Sequence, residues 1–341
     1  MKKKTKKKDE IYDYIKKYVT VRPVSILSAV SISETNLYKN LNKLINEDLI
    51  IKKGNGGAMY YSIKDINDNK FLNLKGNNID EYSEYIINKN YIYVSPSGEM
   101  IKGWDGFYNW CVRYKLNIEI ETKNYIKLIK DINKVKKNGL ISAKKNILSQ
   151  GKEAIGLYID KLYYSDFYNI GHFGKTKLGQ LLYIAKSSQN RKLIKEIANI
   201  IAHDIHNILL MHNIKYIGYI PPTINRNTQF IKELELELDK LLNLKLEYKK
   251  IKIEKIKSET LVAQKTLKKL SDRVYNAKHT ILVDPRQKID DNVLIIDDAT
   301  GSGATLNETA SKIKNISDKN FKIIAYSVVG SMKGYDVINE I

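Results

Sequence analysis

Asp297 and Asp298 are the residues of this chain whose type and setting are best suited to chemistry. They follow the apolar run Val293-Leu294-Ile295-Ile296. After them come Ala299-Thr300-Gly301-Ser302-Gly303-Ala304-Thr305 and then Leu306-Asn307-Glu308-Thr309-Ala310. Four consecutive apolar residues predict a strand buried on both faces of a parallel sheet. The small residues predict a loop, and the segment from Leu306 predicts a helix. An acid pair at a strand end, a glycine loop and a helix start together suit a phosphate. Glycines admit close backbone approach, successive amides form a concave anion site, and the helix dipole favours negative charge. Open α/β sheets bind ligands at the carboxyl ends of their strands. The paired carboxylates would face hydroxyls, or a Mg²⁺ ion, beside that phosphate.

Other segments supply elements to position this pair. Tyr216-Ile217-Gly218-Tyr219-Ile220 reads as a second buried strand, ending in Pro221-Pro222-Thr223, with Asn225 and Arg226 beyond. Thr280-Ile281-Leu282-Val283 and Phe321–Val329 read as further strands. Lys186 follows the apolar stretch Leu181-Leu182-Tyr183-Ile184-Ala185. The fold class expected for residues 151–341 is therefore α/β, with a parallel, Rossmann-like sheet.

The run from Val293 to Thr305 resembles the motif by which type I phosphoribosyltransferases bind 5-phosphoribosyl 1-pyrophosphate (PRPP). The likeness lies in the hydrophobic strand, two acids, small loop and Gly-X-Thr. It implies that Asp297 and Asp298 hold the ribose 2′- and 3′-hydroxyls, and that Ala299 to Thr305 wrap the 5-phosphate. Ser302 and Thr305 would offer hydroxyls. Where the family usually has two threonines before the glycine, this chain has Gly301-Ser302. Either one hydroxyl contact is lost or Thr300 supplies it. The same resemblance puts a pyrophosphate-gripping loop at Thr223 to Arg226. Gln264, Lys265, Arg273 and Asn276, ahead of the motif, resemble the ComF-like competence-protein branch, where this region closes over the site. Lys186 also resembles a position in that branch. The cofactor implied is Mg²⁺, bound with PRPP. Arg226 and one of Lys265, Lys268 or Arg273 would offset the leaving group's charge.

The first sixty residues have a different character. Asp9–Tyr18 predicts a short helix, and Pro23 opens a second through Val30, as proline does in a first turn. Ser33 caps a third helix, in which Leu37, Leu41, Leu44 and Ile45 form a helical stripe. Two β-prone runs around Gly54-Asn55-Gly56-Gly57 predict a hairpin. This order resembles a winged helix-turn-helix domain with the glycine turn as wing tip. Its third helix would offer Asn36, Lys39, Asn40 and Lys43 to DNA, since Asn pairs with adenine and Lys reaches phosphate or guanine. A docking or dimerisation module is the alternative reading.

Charge fits this division. The 341 residues carry 58 basic and 38 acidic side chains, a net +20. Six lysines fall within the first eight residues, and residues 9–70 are nearly neutral. A disordered basic tail over 1–8, able to touch phosphates without reading sequence, is expected. Part of the remaining lysine is compositional, in a chain also crowded with Asn, Ile and Tyr. The expected domains are thus 1–8, a winged helix over 9–66, a connecting α+β segment over 67–150 and the PRPP-binding domain over 151–341. The boundary signals are polar breaks at 64–69 and 138–151.

Several classes are excluded. One cysteine, Cys111, rules out a disulfide framework and fits a reducing compartment. It reads as a small buried residue, not a nucleophile. His203 and His206 read as solvated or packing residues, and Trp104, Phe107, Tyr108 and Trp110 as packing between domains. No apolar stretch approaches a membrane span and no secretory signal opens the chain, so a cytoplasmic protein is expected. A homodimer is compatible with this reading. Two activities fit the parts: Mg²⁺-dependent transfer of phosphoribosyl from PRPP to an unidentified nitrogenous acceptor, or a winged-helix regulator that senses PRPP without turnover.

Overall fold

Caps and apolar spacing set the first elements. In the computed structural model, which describes residues 7–18, 20–47, 49–53, 59–63, 79–143, 156–222, 226–256, 270–317 and 319–332, the chain divides into two units, 1–122 and 123–341. The first opens with α1 (Lys7–Tyr18), β1 (Thr20–Val21), α2 (Pro23–Ala29), α3 (Glu34–Asn46), β2 (Ile50–Lys53) and β3 (Tyr60–Ile63). The Ser33 side chain accepts from the Asn36 N–H and caps α3. Leu37, Leu41 and Leu44 are buried with Ile11, Ile15, Ile26 and Tyr61. Burial of each such aliphatic side chain is worth about 1.5–3 kcal/mol. The three strands form an antiparallel sheet in the order β1-β3-β2. Residues 54–58, with the glycine turn, lie outside the described residues, as do residues 1–6 and the polar break at 64–69. Lys7 and Lys8 are helical and do not belong to a disordered tail. Lys7 pairs with Glu10 at 2.7 Å and Lys8 with Glu47 at 2.6 Å. Asp9 and Glu10 in the first turn complement the helix dipole.

The same unit continues with α4 (Glu81–Asn90), β4 (Ile92–Val94), β5 (Met100–Lys102) and α5 (Gly103–Tyr114). Here the aromatic cluster is an internal core, not packing between domains. Tyr91, Phe107 and Trp110 are buried, Tyr91 meets Phe107 edge-on at 5.1 Å, and Trp104 stacks on Phe107 at 5.8 Å. Cys111 is buried among them, and burial pushes its thiol up to about 12.

The second unit is α/β. After α6 (Ile118–Val135), which begins ahead of the division, come β6 (Lys136–Lys137), β7 (Leu140–Ser142), β8 (Lys161–Phe167), α7 (Lys177–Ser188), α8 (Arg191–Met211) and β9 (Tyr216–Tyr219). Then follow α9 (Phe230–Leu242), α10 (Leu244–Glu247), β10 (Lys249–Ile251), β11 (Ile253–Lys255), α11 (Leu270–Thr280), β12 (Ile281–Val283), β13 (Val293–Thr300), α12 (Ala304–Asn315) and β14 (Ile323–Gly330). Seven strands form one sheet in the order β10-β9-β13-β14-β8-β7-β6. The first five run parallel, and the β6–β7 hairpin closes the edge antiparallel to β8. Val293 to Ile296 and all of β14 are buried, as their apolar runs require.

The start of this unit corrects the expected boundary. Asn138-Gly139 is a two-residue hairpin turn with positive φ at both residues, 52° and 82°, and it brings residues 136–142 into the sheet. Asn and Gly tolerate that conformation, which matches the right-handed twist of paired strands. The polar break at 138 is thus a turn inside the sheet.

Candidate functional site

Asp297 and Asp298 lie within β13, between its buried half and its carboxyl end. Ile296 is in register with Tyr219 of β9, and the Ile220 N–H donates to the Ile296 carbonyl at 2.9 Å. The chain leaving β9 returns at β10, on one side, and the chain leaving β13 returns at β14, on the other. Parallel neighbours whose connections diverge leave a crevice beyond their carboxyl ends. The acid pair and Pro221-Pro222 border that crevice.

The expected seven-residue loop is shorter than the sequence suggested. Ala299 and Thr300 continue the strand, paired with Val329 and Gly330 of β14. The Thr300 side chain is buried and hydrogen-bonded to Ser327 Oγ. Its hydroxyl is therefore committed to the sheet and does not replace the missing threonine of the motif. Ala304 and Thr305 already belong to the first turn of α12. The connecting turn is Gly301-Ser302-Gly303. Gly303 sits at φ 74° and caps α12 without a side-chain hydrogen bond. A residue without Cβ adopts this left-handed conformation at little cost, and the first N–H groups of the helix have no capping side chain.

Basic side chains converge on this region from four places. The Lys186 ammonium of α7 forms an ion pair with the Asp298 carboxylate, with both side chains about one-quarter exposed. The Arg226 guanidinium donates to the Lys186 carbonyl. Arg273 of α11 reaches over the turn: a Cβ built on Gly301 would lie 3.7 Å from its Nη1. Arg273 thus borders the glycine turn, while Arg226 sits with Lys186. Lys255 at the end of β11 completes the set. Burial holds its ammonium below the usual lysine range, while Asp297 and Asp298 pull the other way.

Electrostatics mark Asp297. Its side chain is half-buried. Desolvation first, and then the charge of Asp298, hold its carboxyl well above the usual range. The Asp298 N–H, which donates to Asp297 Oδ1 at 2.7 Å, and the ammoniums of Lys186 and Lys255 pull it back in part. Carboxylates accept hydrogen bonds from hydroxyls and cations attract anions, so the chemistry of these side chains suits a ligand bearing both hydroxyls and negative charge.

Asn276 is carried on the same helix as Arg273. Its carbonyl accepts from the Thr280 hydroxyl, and its side-chain nitrogen is buried without a hydrogen-bond partner among the described residues. Thr223, Gln264, Lys265 and Lys268 lie outside the described residues. Lys255 was not singled out from the sequence, because nothing local distinguishes it among 58 basic residues.

In the first unit, Asn36, Lys39 and Lys43 are exposed along α3. Asn40 is half-buried and turns its amide back to the Asn36 carbonyl at 2.7 Å, so three of the four expected contact residues face outward. His203 shares a hydrogen bond with Asn207. No group of three or more His, Cys, Asp or Glu is placed to hold a metal among the described residues. No helix there is long and apolar enough to cross a membrane. No family model, curated protein or solved structure matches the chain.

Proposed function

We propose that the second unit binds PRPP at the end of β13 and transfers its phosphoribosyl group to a nitrogenous acceptor, in the manner of a type I phosphoribosyltransferase. The observation that carries this reading is the placement of Asp297 and Asp298 at a diverging pair of parallel strands. Next to them stand an uncapped glycine turn and four basic side chains. In this reading the carboxylates accept hydrogen bonds from the ribose 2′- and 3′-hydroxyls. Their charge also favours the positive character that builds on the sugar as the C1′–oxygen bond opens. The amides of Gly301 to Thr305, with Arg273 above them, receive the 5-phosphate. Lys186, Arg226 and Lys255 offset the negative charge gathering on the departing pyrophosphate.

The donor set suits Mg²⁺, which commonly binds through one or two carboxylates together with substrate phosphates and waters. Asp297 and Asp298 would hold it, and when bound it supplies charge neutralisation at the pyrophosphate. For the first unit, the order of three helices and a hairpin, with the exposed Asn36, Lys39 and Lys43, supports a winged helix that contacts DNA. That arrangement keeps a second reading open, in which PRPP is sensed and not consumed.

The test is thermal denaturation with PRPP and Mg²⁺. Ligand that binds only the folded state raises Tm, by linkage of roughly 2.7 kcal/mol at a hundredfold excess over Kd. The double variant Asp297→Asn, Asp298→Asn is expected to lose this rise, and an undiminished rise would refute the placement of the ligand. Pyrophosphate release that requires an acceptor identifies the transferase. A PRPP-dependent change in DNA affinity without release identifies the sensor.

A further inference from the structure

Two helices start near the glycine turn, and one lysine fastens their far ends. Arg273, near the start of α11, borders Gly301, just ahead of α12. In the last turn of α12, the Lys312 ammonium donates to the Lys278 carbonyl at 2.7 Å and to the Ile281 carbonyl at 2.5 Å. The two helices pack on each other and run in the same sense, with their starts together at the turn and their ends together at Lys312. The last carbonyls of a helix have no partner within it, and a cation there meets the negative end of the helix dipole. Lys312 serves α11 in both ways. The Ile256 N–H also donates to the Thr280 carbonyl at 2.8 Å, so the end of α11 is tied both to α12 and to the chain leaving β11. Arg273 stands eight residues before Ile281, roughly 12 Å along the axis at the helical rise per residue. Over that length a tilt of about 5° would shift Arg273 by about 1 Å.

We propose that Lys312 is a positioning residue for the phosphate site: it sets the tilt of α11 and so holds Arg273 over the Gly301–Gly303 turn. This rests on the reading of that turn as the seat of the 5-phosphate of PRPP. Lys312 does not reach the ligand itself. Its ammonium is engaged by two carbonyls, and its backbone lies roughly 13 Å along α12 from Gly303. That separation exceeds the Debye length of about 10 Å at 0.1 M salt, so its charge acts weakly on a bound phosphate. Its influence runs through Arg273. A guanidinium beside the starts of two helices is a strong anion site only when its N–H groups point at the phosphate oxygens. An error of about 1 Å in such placement is costly even when its origin lies far from the ligand.

The experiment is calorimetric titration of the full-length protein, in Mg²⁺, with PRPP and with ribose 5-phosphate. The proteins compared are wild type, Lys312→Met, Lys312→Arg, Arg273→Ala and the double variant Arg273→Ala, Lys312→Met. Lys312→Met should raise the Kd of both ligands about tenfold, since both carry the 5-phosphate. In the Arg273→Ala background the same change should add less than about twofold, because the residue it positions is gone. Lys312→Arg can still donate to both carbonyls and should bind within about twofold of wild type. Lys312→Gln, too short to span to both carbonyls, runs through the same cycle with the expectation given for Lys312→Met, so that a folding failure of one variant leaves the other to decide. Losses that multiply in the double variant overturn the proposal, because Lys312 would then act independently of Arg273. An unchanged Kd in Lys312→Met and Lys312→Gln, or in Arg273→Ala, overturns it as well. Those outcomes, with PRPP bound by the wild type, overturn this proposal alone. Wild-type protein that binds no PRPP overturns the reading of the turn, and this proposal with it.

Discussion

Lys186 and Asp298 stand 112 positions apart in the chain, and the fold closes an ion pair between them. The lysine comes from the helix after β8 and the aspartate from β13, so the contact locks α7 against the carboxyl edge of the sheet. Lys186→Met would leave two adjacent carboxylates with less compensation. For a pair only partly buried, between the exposed and fully buried limits, the cost is about 1–3 kcal/mol. A Tm lower by about 5 °C is expected at pH 7.5, together with weaker PRPP binding. Lys186→Arg should recover most of the Tm. A wild-type Tm in Lys186→Met would show that the pair contributes nothing net.

The stability of the second unit should fall as pH rises from about 4 to 7. Asp297 has a folded-state pKa pushed up to about 7, against an ordinary value of 3.8. Between those values the unfolded chain has released a proton that the folded chain retains. The associated stability is complete below the lower value and is lost as pH climbs to the upper one. Asp297→Asn removes this contribution, so its Tm should decline less over that window and exceed the wild type's at pH 8. Burial also raises Asp166 and Asp204, so part of the decline should persist in the variant. Thermal scans across pH 4.5–8 decide the matter. Parallel curves for the two proteins would contradict the raised carboxyl.

Two glycines near the site should respond differently to a methyl group. At Gly330 a Cβ would lie 2.1 Å from the Tyr164 ring, and that ring is fully buried. Overpacking of this kind costs roughly 1–3 kcal/mol or more, so Gly330→Ala should lower Tm sharply. At Gly301 the nearest neighbour is Arg273 Nη1 at 3.7 Å, an ordinary contact. Gly301→Ala should keep its Tm and instead lose affinity for PRPP, because the methyl enters the space between turn and guanidinium. Equal Tm losses in the two variants would break the contrast.

The α3 surface gives a separate prediction. Asn36, Lys39 and Lys43 are exposed, while Leu41 is fully buried. The triple change of the three polar residues to Ala should leave Tm unaffected and weaken DNA binding. Loss of the two lysines should flatten the salt dependence by about two phosphate contacts' worth of slope. Leu41→Ala should instead destabilise the first unit by about 2–5 kcal/mol. Unchanged DNA affinity in the triple variant would remove α3 from the interface.

Local patterns foretold much of this architecture. Ser33 and the leucine spacing located α3, and the run Val293 to Ile296 located the buried half of β13. Both signals are written in neighbouring residues. Interactions between distant segments were not legible in the same way. Thr300 looked like a loop residue until Ser327 of β14 claimed its hydroxyl. Lys255 acquires meaning only from where the sheet places it, beside Asp297 and Asp298. The wrong boundary near 138 had another cause: Asn-Gly is both a polar break and a hairpin turn, and only the presence of β8 as a partner selects the second.

That hairpin decides how the sheet ends. Without it β8 would present seven residues of unpaired backbone along an open margin. With it, the outermost strand is the two-residue Lys136–Lys137, and the Lys136 ammonium is turned 3.4 Å from the Asp166 carboxylate. A stub this short and this cationic offers an incoming strand almost nothing to pair with. The β6–β7 hairpin is thus a terminator, hindering extension of the parallel sheet by another chain at this one of its two edges.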